Sequence, residues 1–187
     1  MRKYVVAVLM VAVGFANADT AAARPASAAP VVAACANPAL PQAILDGPSP
    51  SRTTWMLPLP VVPVSGARMP LTLAVASDER SRELGLMCVT RLRAHRGMIF
   101  VFDAPEQQEF WMKNTLVPLD MVWVDANGRV TTVAGHVPAS TRATPDSEVA
   151  RRTGFGSYVI ELRAGEAEAD GIVPGLHFVL GTLNIKQ

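Results

Sequence analysis

The residues of this chain best placed to do chemistry stand in one short block. Phe110-Trp111-Met112-Lys113-Asn114-Thr115 carries an apolar run into an ammonium, an amide and a hydroxyl. After Leu116-Val117-Pro118-Leu119, a carboxylate, Asp120, opens a second apolar run over residues 121–124. An acid directly before Met121-Val122-Trp123-Val124 is expected to be partly buried, and a buried carboxylate needs donors or a cation. Lys113, Asn114 and Thr115 are the nearest suppliers in the sequence. Two readings stay open. The group pins a turn through side-chain-to-backbone hydrogen bonds, or it holds a cation and an amide ready for a polar or anionic ligand.

Three further residues join this candidate ligand-binding set. Glu161, between Ile160 and Leu162 of a predicted strand, points away from the side those two occupy. It is either a solvent-facing charge or a site carboxylate. Arg82 falls in a predicted helix, as a solvated face or as a site cation. Trp111 suits stacking on a sugar or other ring, while core or pocket-wall packing suits Trp111, Met112 and Trp123 alike.

Other chemistries find little footing. His95, His136 and His177 are widely spaced, whereas a metal centre needs several converging ligands, so neither a metal nor another cofactor is expected. Cys35 and Cys88 are too far apart for a Cys-x-x-Cys pair. Around Ser157 no nucleophile elbow is formed, since Phe155 and Val159 stand where its two glycines are needed, and no phosphate-binding glycine loop occurs. The formal charge of +1, from 17 basic and 16 acidic residues, argues against a nucleic-acid partner.

The elements that must position these groups are mostly strands. Leu71, Leu73 and Val75 alternate with Thr72, Ala74 and Ala76, the period of a half-buried strand, and residues 61–64 with Ser65-Gly66 suggest a hairpin partner. The apolar runs 98–102 and 121–124 read as buried strands. Asn127-Gly128 predicts a two-residue hairpin turn, since both positions accept positive φ, with a return strand over 129–137. Strands over 158–162 and 177–180 complete the set, and residues 141–156 read as a loop. Ser77, followed by Asp78 and Glu79, predicts a helix start, and residues 165–169 allow one more helical turn. Strands with inserted helices and no βα alternation imply an α+β fold, mainly β: a strongly curved, mostly antiparallel, partly open barrel-like sheet with one or two short helices.

The 187 residues divide into three segments. Arg2 and Lys3 precede an apolar run over residues 4–15 and the small-x-small pattern Ala16-Asn17-Ala18. That is the layout of a cleaved signal peptide over 1–18, too short for a spanning helix, with an uncleaved anchor as the alternative. It predicts a periplasmic or secreted protein that meets the membrane only through an uncleaved leader. Val32-Ala33-Ala34-Cys35 resembles a lipobox, but Arg24, Pro25 and Pro30 separate it from the apolar run. Residues 19–54, rich in Ala and Pro, read as a disordered linker, and 55–187 as one globular domain. In an oxidising compartment Cys35 and Cys88 either pair or stay as free thiols.

At this point a family resemblance emerges. Glu83-Leu84-Gly85-Leu86-Met87, Gly97-Met98-Ile99-Phe100, Phe110-Trp111-Met112-Lys113-Asn114-Thr115, Pro118-Leu119-Asp120-Met121, Val159-Ile160-Glu161-Leu162 and Ala164-Gly165 occur in the order and spacing of the domain-of-unknown-function 192 family, also called uncharacterised protein family 0127. The chain resembles that family over about residues 61–180. The resemblance implies a compact, mostly β, α+β fold, frequent export, and no established activity. Two places depart from the pattern. Cys88-Val89-Thr90 stand where a basic residue is usual, and Gly175-Leu176 where Gly-Asp is frequent.

Three functions are therefore expected in turn. The first is a non-enzymatic binding or accessory domain of the cell envelope for a small polar or anionic ligand, a glycan or a peptide. The second is a hydrolase or transferase with Asp120 or Glu161 as general base and Lys113 stabilising developing charge. The third is a structural interaction module without a ligand.

Overall fold

The computed structural model describes Leu45 and residues 60–180; the leader and nearly all of the linker, Cys35 included, lie outside the described residues. The elements run β1 (Val61–Val64), β2 (Leu71–Ala76), α1 (Glu79–Leu84), β3 (Arg96–Trp111), β4 (Leu119–Val124), β5 (Val130–Val137), β6 (Arg151–Arg163) and α2 (Glu166–Ala169). They form one six-stranded sheet in the order β1-β2-β3-β6-β4-β5. Every neighbouring pair is antiparallel except β2–β3, whose parallel pairing needs the crossover that contains α1. The mainly-β α+β expectation holds, and the sheet is curved but not closed.

Both faces of the sheet are covered, which is why the central strands read as unbroken apolar runs. On one face Ala74, Met98, Phe100, Met112, Met121, Trp123 and Val159 pack with Leu86, Val89 and Leu92 from the crossover. On the other, Leu73, Ile99, Val122, Ile160 and Leu162 pack with Ala167, Ile172 and Phe178. Alternate residues of β3, β4 and β6 supply the two clusters.

Several expectations change in detail. Asp78, not Ser77, caps α1, with Asp78 and Ser81 forming a reciprocal capping box. The segment 151–156, read as loop, is strand: it pairs with the far half of β3 as Arg151↔Trp111 through Gly156↔Glu106. The segment 177–180 is not a full strand. It makes isolated bridges, Ser65↔Val179 and Arg129↔His177, and so ties the end of β1 to the start of β5, drawing the two sheet edges together at one end. In the β4–β5 turn only Gly128 takes positive φ (87°). The Asp125 carboxylate accepts from the Asn127 and Arg129 backbone N–H groups, so a side chain supplies what a second left-handed residue was expected to give. Leu45, placed in the linker by composition, bridges Leu92 and is buried in the first cluster. Among the described residues no helix is long and apolar enough to cross a membrane.

Candidate functional site

Glu161 is the centre of the site. It sits mid-strand in β6, in register with Met98 on β3 and Met121 on β4, both fully buried. Strand alternation does turn it away from Ile160 and Leu162, but toward the first core cluster rather than solvent. Only 5% of the residue is exposed, and its Oε2 has no hydrogen-bond partner. Burial without donors disfavours the charged form, and desolvation pushes its pKa from 4.5 up to about 8. At neutral pH this is a protonated acid.

The side chain does not end in solid core. It lines a cleft of about 320 Å³ between α1 with its following turn and the middle of β3. Phe100, Phe102, Phe110, Trp111, Leu84 and Met87 supply apolar walls; Thr115 adds a buried polar group. Gly85 closes α1 at φ 45°, and a Cβ there would stand 3.3 Å from the Phe100 ring, so a glycine lets the turn approach the wall. Between Val101 and Glu106 the β3–β6 register shifts. The bulge leaves Phe102 beside the cleft, where such irregularities commonly re-aim side chains.

Arg82 is the cation of the site. Its guanidinium donates to the Ser77 carbonyl at 2.7 Å and the Val101 carbonyl at 3.1 Å, and lies 5.4 Å from the Phe102 ring centre. It therefore clamps α1 to the bulge while lining the cleft. Glu79, Glu83 and Glu109 are the acidic lining residues around it. Glu109 pairs with Arg151 at 2.8 Å, whose guanidinium covers the Trp111 ring at 5.0 Å. Trp111, 40% exposed, is thus cleft wall rather than core.

The Lys-Asn-Thr block behaves as a bracket. Lys113 donates to the Thr144 carbonyl at 3.1 Å and pairs with Asp146, whose carboxyl is held below its usual range by that hydrogen bond. Asn114, at φ 56°, presents its carbonyl to the Cys88 N–H at 3.0 Å and its amide to the Cys88 sulfur at 3.7 Å. Asn114 thereby fastens the turn after α1 to the end of β3 and so helps to build the cleft, while Lys113 ties the end of β3 to residues 144–146. Of the block's three polar side chains, only that of Thr115 lines the space.

The expected meeting of Lys113 with Asp120 does not occur. Asp120 points to the opposite face, where its oxygens accept from the backbone N–H of His136 and of Ala167, both at 2.8 Å. One strand position separates Asp120 from Met121, and Met121 packs on the Glu161 side, so Asp120 must face α2. It is 1% exposed, with each oxygen already taken, and is unsuited to act as a general base. The structure therefore brings Arg82, Trp111, Thr115 and Glu161 together and leaves Lys113, Asn114 and Asp120 outside the cleft. Sequence reasoning about chemistry missed Gly85, Met87, Phe100, Phe102 and Phe110. The family-like blocks around them were the available signal, since four of those blocks converge on the cleft. Away from it, among the described residues, His95, Glu166 and Asp170 are a group whose ligand atoms converge closely enough to hold a metal ion.

An open, curved sheet with a short helix clamped over a buried carboxyl that lacks a partner at Oε2 defines a small α+β domain with a cleft at that carboxyl. The chain belongs to the DUF192 family, described as an uncharacterized ACR, whose model matches residues 61–179. Two solved structures are similar to it. One is a candidate transcription regulator from Sinorhizobium meliloti 1021, 34% identical, covering 59% of this chain and 82% of that one, with a TM-score of 0.52. The other is a protein of unknown function from Novosphingobium aromaticivorans DSM 12444, 30% identical, covering 65% and 86%, with a TM-score of 0.54. No curated protein gives a significant match.

Proposed function

We propose that this protein is an exported binding or accessory domain of the cell envelope that holds a small polar ligand, or a glycan or peptide segment, in the cleft over Glu161. The observation that carries the reading is the Glu161 carboxyl, buried, lacking a partner at Oε2 and opening on a cleft of about 320 Å³. Leaving such an atom unsatisfied costs about 1–3 kcal/mol, and a bound hydroxyl or amide repays that cost. The protonated acid offers one donor and one acceptor, while the aromatic walls suit the apolar face of a ring or side chain. The acidic lining favours neutral polar ligands over anionic ones.

Export is supported by the leader over residues 1–18 and by Cys88 being disulfide-bonded, since disulfides persist outside the reducing cytoplasm. The near-neutral charge and the acidic lining give no phosphate track, so the regulator description of the Sinorhizobium relative is not carried over. Mass spectrometry of the N-terminus tests export: a mature chain beginning at Asp19 is expected, and one beginning at Met1 in the cytosolic fraction refutes it.

A thermal-shift screen of small sugars, peptides and amides tests the site. A ligand raises the melting temperature by mass action, and the gain is expected to vanish in Glu161→Leu and weaken in Trp111→Ala. Hits whose affinity neither substitution alters would remove the cleft from the account. The raised pKa also favours one enzymatic reading, with Glu161 as general acid rather than base. Turnover of a hydrolysable substrate, abolished in Glu161→Gln, would replace the binding reading with that one.

A further inference from the structure

On the face of the sheet opposite the cleft, a second group of polar side chains converges. His95, just before β3, directs Nδ1 at Asp170 Oδ2, 2.8 Å away, and at Glu166 Oε1, 3.4 Å away. The three ligand atoms all lie within 4.8 Å of one another. Glu166 and Asp170, at the two ends of α2, are 3% and 4% exposed. Glu166 Oε2 is buried with no partner.

We propose that His95, Glu166 and Asp170 form a binding site for a divalent transition-metal ion, zinc by preference. Zinc bonds to imidazole nitrogen and carboxylate oxygen are about 2.0–2.2 Å long, which sets tetrahedral ligand atoms about 3.3 Å apart; the observed 2.8 and 3.4 Å bracket that spacing. Two carboxylates out of water need positive charge beside them. Among the described residues Arg68 makes no ion pair with either carboxylate; its guanidinium donates to the Ala169 carbonyl at 2.7 Å. The set is one imidazole and two carboxylates, which suits zinc and leaves a fourth position for water. The His95 side chain, 33% exposed, provides the approach from solvent.

The ligands are held before any ion arrives. The His95 carbonyl accepts from Thr72 N–H at 2.9 Å, and the Asp170 carbonyl from Arg68 N–H at 2.9 Å. The His95 N–H donates to Glu166 Oε1 and so orients that carboxylate. Asp120, through Ala167 N–H, fixes the first turn of α2.

The experiment uses the full mature chain, stripped with chelator and titrated with zinc chloride by calorimetry, with calcium and magnesium chlorides as comparisons. One zinc per chain, a raised melting temperature and a weak response to calcium and magnesium are expected. Cobalt substitution should give the intense visible bands of a tetrahedral site. His95→Gln, Asp170→Asn and Glu166→Gln, each checked for folding by circular dichroism, should weaken zinc binding at least tenfold, and His177→Ala should not. A folded wild-type chain that takes up no zinc, or zinc bound undiminished by the folded variants among these three, overturns the proposal and leaves a histidine–carboxylate ion pair only.

Discussion

Asp120 and Glu161 lie on neighbouring strands, one register step apart, and both are withdrawn from water. Their surroundings assign them opposite work. Asp120 faces α2 and receives a backbone N–H on each oxygen; it is a joint between β4, β5 and α2. Glu161 faces the cleft, lacks a partner on Oε2 and is pushed up to about pH 8 in its titration. Burial by itself does not mark a functional carboxyl. What separates the two is whether the fold has already spent the acid's hydrogen-bonding capacity.

The largest expected effect comes from removing the satisfied acid. Asp120→Ala leaves two N–H groups without acceptors at roughly 1–3 kcal/mol each, so urea denaturation should show a loss of about 2–6 kcal/mol. A loss as small as that of a surface substitution would break the contrast. The next effect is pH dependence. Because the Glu161 pKa is raised in the folded state, the folded chain keeps a proton that the unfolded chain sheds above about 4.5. The stability linked to this group is therefore full below that value and declines as pH rises through about 8. The slope is about 1.4 kcal/mol per pH unit at most. Glu161→Gln should flatten it, which melting temperatures from pH 5 to pH 9 would reveal.

Smaller changes sharpen the boundary of the site. Arg82→Ala removes two bonds from the charged guanidinium to carbonyls and should cost about 1–3 kcal/mol, while loosening α1 enough to weaken any cleft ligand. Lys113→Ala should have the least effect. Its Asp146 partner is 67% exposed, and exposed pairs contribute little. Cleft affinity should be unchanged, and the Asp146 carboxyl should rise toward its ordinary range, measurable by NMR titration.

Much of the fold was legible in the sequence because strands announce themselves through period and burial. The alternation in β2, the apolar runs in β3 and β4 and the 158–162 stretch of β6 located all four central strands. Arg151–Gly156 escaped because its strand character comes from pairing with the far half of β3 rather than from its own Gly-Phe-Gly pattern. The converse holds for 177–180, apolar enough to read as a strand yet given partners only at isolated bridges. Candidate-site residues divided in the same way. Side-chain alternation correctly told which way Glu161 points relative to Ile160 and Leu162, but not that α1 and its turn would cover that side.

The sequence by itself determined the strand-dominated composition of the domain, the helix start near Asp78, and the grouping of unusual polar residues around Lys113–Asp120. Those are local properties, set by side-chain period, turn chemistry and capping over a few residues. Only the tertiary structure decided which carboxyl lines the cleft, which is tied to backbone, and that His95 meets partners 71 and 75 residues further along the chain. Such meetings depend on strand order and on which face each element covers, and no short-range pattern encodes either.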